Sequence, residues 1–80
     1  MAQEEHFRTS DTALASYLIS DGYEYPEIQY ENGYRAYFVF KKIDSELNKK
    51  ISNFYTAQAI GNIVLFFNAY QSLIRRIKER

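Results

Sequence analysis

Residues 21–40 read "DGYEYPEIQYENGYRAYFVF" and hold five of the chain's eight tyrosines and two of its six phenylalanines. Asn32-Gly33 sits between two aromatic-rich runs, which is the signature of a β-hairpin. Its register decides which rings face inward. A two-residue loop would pair Glu31 with Tyr34 and set Glu27 opposite Phe38, mixing acids with rings on one face. A three-residue loop of Glu31, Asn32 and Gly33 pairs Tyr30 with Tyr34 instead. That register gathers Ile28, Tyr30, Tyr34, Ala36, Phe38 and Phe40 on one face. Glu27, Gln29, Arg35, Tyr37, Val39 and Lys41 fall on the other. A slip of one residue exchanges every side chain's face, so burial selects the three-residue loop. Pro26 lies at the outer end of the first strand, where a missing N–H is tolerated.

Outside the hairpin the period changes from two to about 3.6. "TSD" at 9–11 opens a helix expected over 10–21, with Thr9 or Ser10 as cap and Asp11 at the positive end of the dipole. Leu14, Tyr17 and Leu18 mark its apolar face, and Gly22 ends it. "DSELNKKISNFY" at 44–55 reads as a second helix, capped by Asp44 or Ser45, with Leu47, Ile51 and Phe54 on one side. Residues 56–61 stay open between a strand, an extended link and the first turns of the last helix. Asn62 can cap that last helix, which runs to about Lys78.

The last helix starts with Ile63-Val64-Leu65-Phe66-Phe67, five apolar residues that cover its whole circumference. A small sheet and two short helices cannot cover every side of it. Burying a Phe or Leu side chain is worth about 1.5–3 kcal/mol, so exposing several forfeits much of a small domain's stability. A second chain covering the free side is the expected remedy, through Ile63, Phe66, Tyr70, Leu73 and Ile77.

Eighty residues make one domain, with the first six expected to be flexible. A chain this size buries only roughly 60–65% of its unfolded surface. It has no cysteine and one histidine, so neither a disulfide nor a thiolate metal site reinforces it. Aromatic packing and self-association are the remaining means.

Formal charge is zero but uneven. Residues 1–40 hold seven acids and two bases, and residues 41–80 hold eight bases and three acids. The uniform positive field of a nucleic-acid binder is therefore absent. The polar start "MAQEEHFR" is not a signal peptide, and "IVLFF" is far short of the ~20 residues of a membrane span. A soluble, cytoplasmic protein is the expectation.

Catalytic chemistry finds no footing here. The chain shows no nucleophile–base motif, no glycine-rich phosphate loop and no HExxH. Glu24, Glu27 and Glu31 lie close in sequence, but a solvated acidic strand edge explains them. Glu4, Glu5 and His6 could hold a surface ion only weakly, since terminal clusters are usually solvated. No enzyme, cofactor or metal is expected.

Two binding readings remain. Tyr25 and Tyr37, with Glu27 and Arg35, form an outward aromatic patch of the composition enriched in protein interfaces. In the alternative, Lys41, Lys42, Lys49, Lys50, Arg75 and Arg76 contact phosphates of a nucleic acid while Tyr37 stacks on a base. The neutral total charge favours the first.

Three stretches resemble a small uncharacterised domain family of bacterial and phage proteins. They are "FRTSDTALASYL" at 7–18 followed by Gly22, "YFVF" at 37–40 and "FFNAYQSL" at 66–73. The likeness covers residues 7–77. It implies a phage or mobile-element context, where small proteins often regulate or inhibit larger machinery, and it supplies no catalytic residues. The expected fold is α+β in the order α-β-β-α-α. An antiparallel hairpin carries its helices on one face, and the C-terminal helix is the longest. The expected function is a non-catalytic, self-associating protein that modulates a larger protein or complex by occupying its surface.

Overall fold

A computed structural model describes residues 6–33 and 35–79. Its elements are β1 (Phe7–Thr9), α1 (Thr12–Ser20), β2 (Glu27–Glu31), β3 (Arg35–Phe40), α2 (Leu47–Tyr55) and α3 (Ile63–Lys78). The α-β-β-α-α order and the α+β class therefore hold, with one short strand added in front. The sheet is antiparallel, in the order β1-β3-β2.

β3 is the middle strand because its end, Phe38-Val39-Phe40, is apolar on both faces, and all three residues are buried. β1 pairs along its free edge, Phe7 opposite Phe40 and Thr9 opposite Phe38. A third strand therefore exists, but at the N-terminus. Residues 57–62 form a link without helix or strand structure.

The two hairpin faces are those the alternation predicts, while the pairing differs by two residues. Glu31 stands opposite Arg35 and Ile28 opposite Phe38, so Tyr30 does not pair with Tyr34. The cause is local: Asn32 and Gly33 both take positive φ, at 56° and 75°. A left-handed pair of this kind belongs inside the turn, which returns Glu31 to the strand. Phe38 and Phe40 are buried and Ile28 packs against the core as expected, but Tyr30, one residue from the end of β2 that enters the turn, lies exposed. The expectation for Tyr34 falls outside the described residues.

α1 starts later than its sequence suggests. Thr9 belongs to β1, and its Oγ1 accepts the amide of Asp11. Asp11 is then the cap, accepting from the amide of Leu14. Leu14 through Leu18 are five consecutive buried residues, so α1 is covered all round and forms the centre of the molecule. Ser16 is tolerated there because its hydroxyl donates to the carbonyl of Thr12 at 2.7 Å. Past Asp21 the chain closes with Tyr23 N–H on the carbonyl of Leu18 and Gly22 N–H on that of Ile19. Gly22 has φ +110°, which a side chain would resist.

α2 repeats this ending with an alanine. The amides of Gln58 and Ala57 donate to the carbonyls of Asn53 and Phe54, and Ala57 takes φ +62°. Its start also differs from expectation. The helix begins at Leu47 after Glu46, and Asp44 stabilises the preceding turn by accepting from the amide of Glu46. Asn62 caps α3 as predicted, accepting from Val64 and Leu65 at 2.9 and 3.0 Å.

The core joins Leu14, Ala15, Tyr17 and Leu18 of α1 to Phe38, Phe40, Leu47 and Leu73. Of α3, the sequence pattern puts Phe67 and Ile74 in this core, and the structure uses a neighbouring stripe instead. Ala69 and Leu73 are buried, with Phe66 and Ile77 partly buried, whereas Phe67 points outward and Ile74 is half-buried. Small residues buried on both α1 (Ala15, Ser16) and α3 (Ala69) suit two backbones that approach closely. That favours a face centred on Ala69 over one centred on bulkier Phe67 and Tyr70.

Candidate functional site

The outer face of the sheet carries the predicted aromatic patch, and β1 alters it. Arg8 stands opposite Val39 on that face. Its guanidinium lies 3.7 Å from the centre of the Tyr37 ring and bonds to the carboxylate of Glu31 at 3.1 Å. Arg8 therefore spans all three strands and half covers Tyr37. Sequence reading missed it, because a three-residue strand has too few positions to show alternation.

This bar divides the predicted residues into two groups. Toward the turn, Arg35 and Tyr37 line a shallow recess with Glu31 and Asn32. At the other end Tyr25 and Glu27 line a recess with Pro26, Val39, Lys41 and Lys42. Glu27 is paired with Lys41 at 3.2 Å, and Arg76 of α3 lies 5.4 Å from the Tyr25 ring. Tyr25 is half exposed, but it is attached to the end of α3. Only Glu27, Arg35 and Tyr37 belong to one strand-built surface.

The basic residues of the nucleic-acid reading are dispersed and largely engaged. Lys41 pairs with Glu27, Lys42 with Glu24 at 3.3 Å, and Lys50 with Asp21. Each bond joins a base from the second half of the chain to an acid from the first. Folding thus cancels in space the charge imbalance seen along the sequence. Lys49 and Arg75 are exposed on different helices.

A second polar cluster ties α1 to α2. The Tyr23 hydroxyl donates to Asp44, and the Lys50 ammonium lies 5.6 Å from the Tyr23 ring. Burial, reinforced by the bond to Asp44, pushes the Tyr23 phenol above its ordinary range. The bond to Asp21 raises Lys50 against the opposing effect of desolvation. At the opposite ends of the two helices, Tyr55 donates to Asp11 at 2.7 Å, and that bond raises the Tyr55 phenol. These contacts fasten α2 antiparallel to α1 at both ends.

Among the described residues, α3 carries an apolar surface without a covering element. Of the predicted self-association residues, Leu73 is fully buried in its own core, and Phe66 and Ile77 pack partly against it. Ile63 and Tyr70 are exposed. Beside them Val64, Leu65 and Phe67 are exposed by half or more, and Ile60 is 88% exposed. Exposed apolar side chains concentrated in this way mark interaction surfaces more often than single ones do. Phe67, Tyr70 and Ile74 also line a groove of about 490 Å³, rimmed by Gln71, Arg75 and Lys78. A further sequence signal marks this region: residues 51–74 contain no charged side chain, in a chain where one residue in four is charged.

Among the described residues, no group of three His, Cys, Asp or Glu side chains converges on a point. His6 is exposed, while Glu4 and Glu5 lie outside the described residues. No helix there is long and apolar enough to cross a membrane.

An α+β domain with a three-stranded sheet, three helices and an uncovered apolar helix face is the class these features define. The chain belongs to a family described as a domain of unknown function (DUF5659), whose model matches residues 4–80. No curated protein and no solved structure matches it.

Proposed function

We propose that this domain is a non-catalytic binding protein that assembles with copies of itself through α3 and modulates a larger protein by occupying its surface. The observation that carries this reading is the exposure of Ile63, Val64, Leu65, Phe67 and Tyr70 on one helix. Surface area of that kind is costly in water and is recovered when a second protein covers it. Its freedom from charge supports a neutral occupant. A basic target or a phosphate backbone would require acids or bases there.

The outer sheet face is the second surface. Arg8, Arg35 and Tyr37 are residues of the type that dominate interface energetics, and they sit on a rigid sheet. The nucleic-acid alternative is weaker because Lys41, Lys42 and Lys50 are already paired with carboxylates. The phage or mobile-element context and a cytoplasmic setting complete the proposal, and both rest on sequence resemblance and composition.

Light scattering over a concentration series from low to high micromolar tests the assembly. A mass rising to a multiple of the chain supports the reading, and a constant monomer at high micromolar ends it. For the second surface, a host-lysate pull-down is compared between wild type and Arg35→Ala, a substitution at an exposed strand position. A partner captured by wild type and lost by the variant supports the assignment. Equal capture by both moves it off the sheet.

A further inference from the structure

Self-association through α3 leaves open how two copies meet, and the helix carries enough pattern to decide it. Its core stripe is Phe66, Ala69, Leu73 and Ile77. Beside that stripe runs another, Ile63, Phe67, Tyr70 and Ile74, with steps of four, three and four. That is the 3.5-residue repeat of a helix seam made to pack against another helix. Three of its residues are exposed, the fourth is half-buried, and three of the four line the groove. Gln71 and Lys78 flank it as edge positions.

Charge then selects the orientation. Arg75, Arg76 and Lys78 crowd the last turn, with Glu79 at the C-cap as the one acid beside them, and the first turn carries no acid. Two parallel helices would place three cations and one carboxylate of each copy side by side, a net positive cluster. An antiparallel pair sends them to opposite ends and also opposes the two helix dipoles. The charge-free first half of each α3 then lies where its partner is apolar.

We infer that α3 pairs with α3 of a second copy in an antiparallel, two-fold arrangement, Ile63 against the partner's Ile74 and Phe67 against the partner's Tyr70. The seam is self-complementary in this register, because each position in its first half meets one in its second half.

This inference rests on the self-association reading, and its test separates the two. The chain contains no cysteine, so single-cysteine variants report one contact each. In the antiparallel pair, positions 63 of the two copies stand about 16 Å apart along the helices. A disulfide tolerates Cα atoms only within about 7 Å. Oxidation with copper phenanthroline is therefore expected to leave Ile63→Cys alone and Ile74→Cys alone uncrosslinked, and to crosslink a mixture of the two. Val64→Cys mixed with Gln71→Cys, both at exposed positions, gives the same answer should the half-buried Ile74 tolerate substitution badly.

Crosslinking of Ile63→Cys with itself would overturn the orientation in favour of a parallel pair. Wild type that sediments as a dimer while neither mixture crosslinks would overturn the α3 seam and keep self-association. Wild type that stays monomeric would overturn both. If that monomer co-sediments with phosphatidylglycerol vesicles, the apolar face belongs to a lipid surface instead.

Discussion

Arg8 on Tyr37 shows how much a single residue can change a surface. An exposed cation over a ring contributes about 0.5–1 kcal/mol, and an exposed ion pair such as Arg8–Glu31 adds about 0–1. A double-mutant cycle with Arg8→Ala and Tyr37→Ala, followed by urea denaturation, is expected to give a coupling of about 0.5–1 kcal/mol. Zero coupling would mean that Arg8 is solvated and Tyr37 bare. Positive φ offers a matched pair of tests. A Cβ at Gly33 meets nothing within 4 Å, so Gly33→Val has only the backbone penalty, about 1–2 kcal/mol of lost stability. Ala57 already bears such strain, and Ala57→Gly is expected to raise stability by about 0.5 kcal/mol. Phe38 has no exposed surface, so Phe38→Ala is expected to cost about 3–5 kcal/mol in the same measurement.

Elements are held together by contacts with a common pH dependence. Tyr23 and Lys50 fasten the end of α1 to the start of α2, and Tyr55 fastens the start of α1 to the end of α2. All three groups have raised pKa values in the fold. Their contribution is complete below the ordinary values of 10.0 for the tyrosines and 10.5 for the lysine. As pH climbs past those values the unfolded chain loses its protons first, and the contribution fades. Thermal melts between pH 8 and 11.5 should show a plateau and then a decline beginning near pH 10. Tyr23→Phe with Tyr55→Phe should flatten that decline. An unchanged slope would assign alkaline unfolding to other groups.

At this scale the limits of sequence reading have definite causes. The hairpin faces were legible because burial depends on parity. Registers two residues apart bury the same side chains, so only the turn geometry at Asn32 and Gly33 could choose between them. β1 was invisible because Phe7-Arg8-Thr9 is too short to alternate. On α3, two stripes both fit a helical period. One carries the larger Phe67 and Tyr70, whereas the one buried against α1 is centred on small Ala69. Within the chain it is α1 that is buried all round, in the mild-looking run Leu14-Ala15-Ser16-Tyr17-Leu18.

Across the whole molecule, charge and apolar surface are arranged in opposite ways. Lys41, Lys42 and Lys50 of the second half meet carboxylates of the first in ion pairs within one copy. The apolar surface of α3 is left exposed among the described residues. A protein built this way can associate with little electrostatic opposition. The uncovered helix face was legible in the run of five apolar residues, although the residues that form it had to come from the fold. The outer sheet patch was legible in composition, but its division by Arg8 was not.

The most direct test of the account is sedimentation equilibrium on wild type and Phe67→Asp at the same high-micromolar concentration. Phe67 is 55% exposed, so the variant should keep the wild-type circular dichroism spectrum. The account predicts twice the 9.5 kDa chain mass for wild type and a single chain mass for the variant. A monomeric wild type, or a variant as dimeric as wild type, would contradict it.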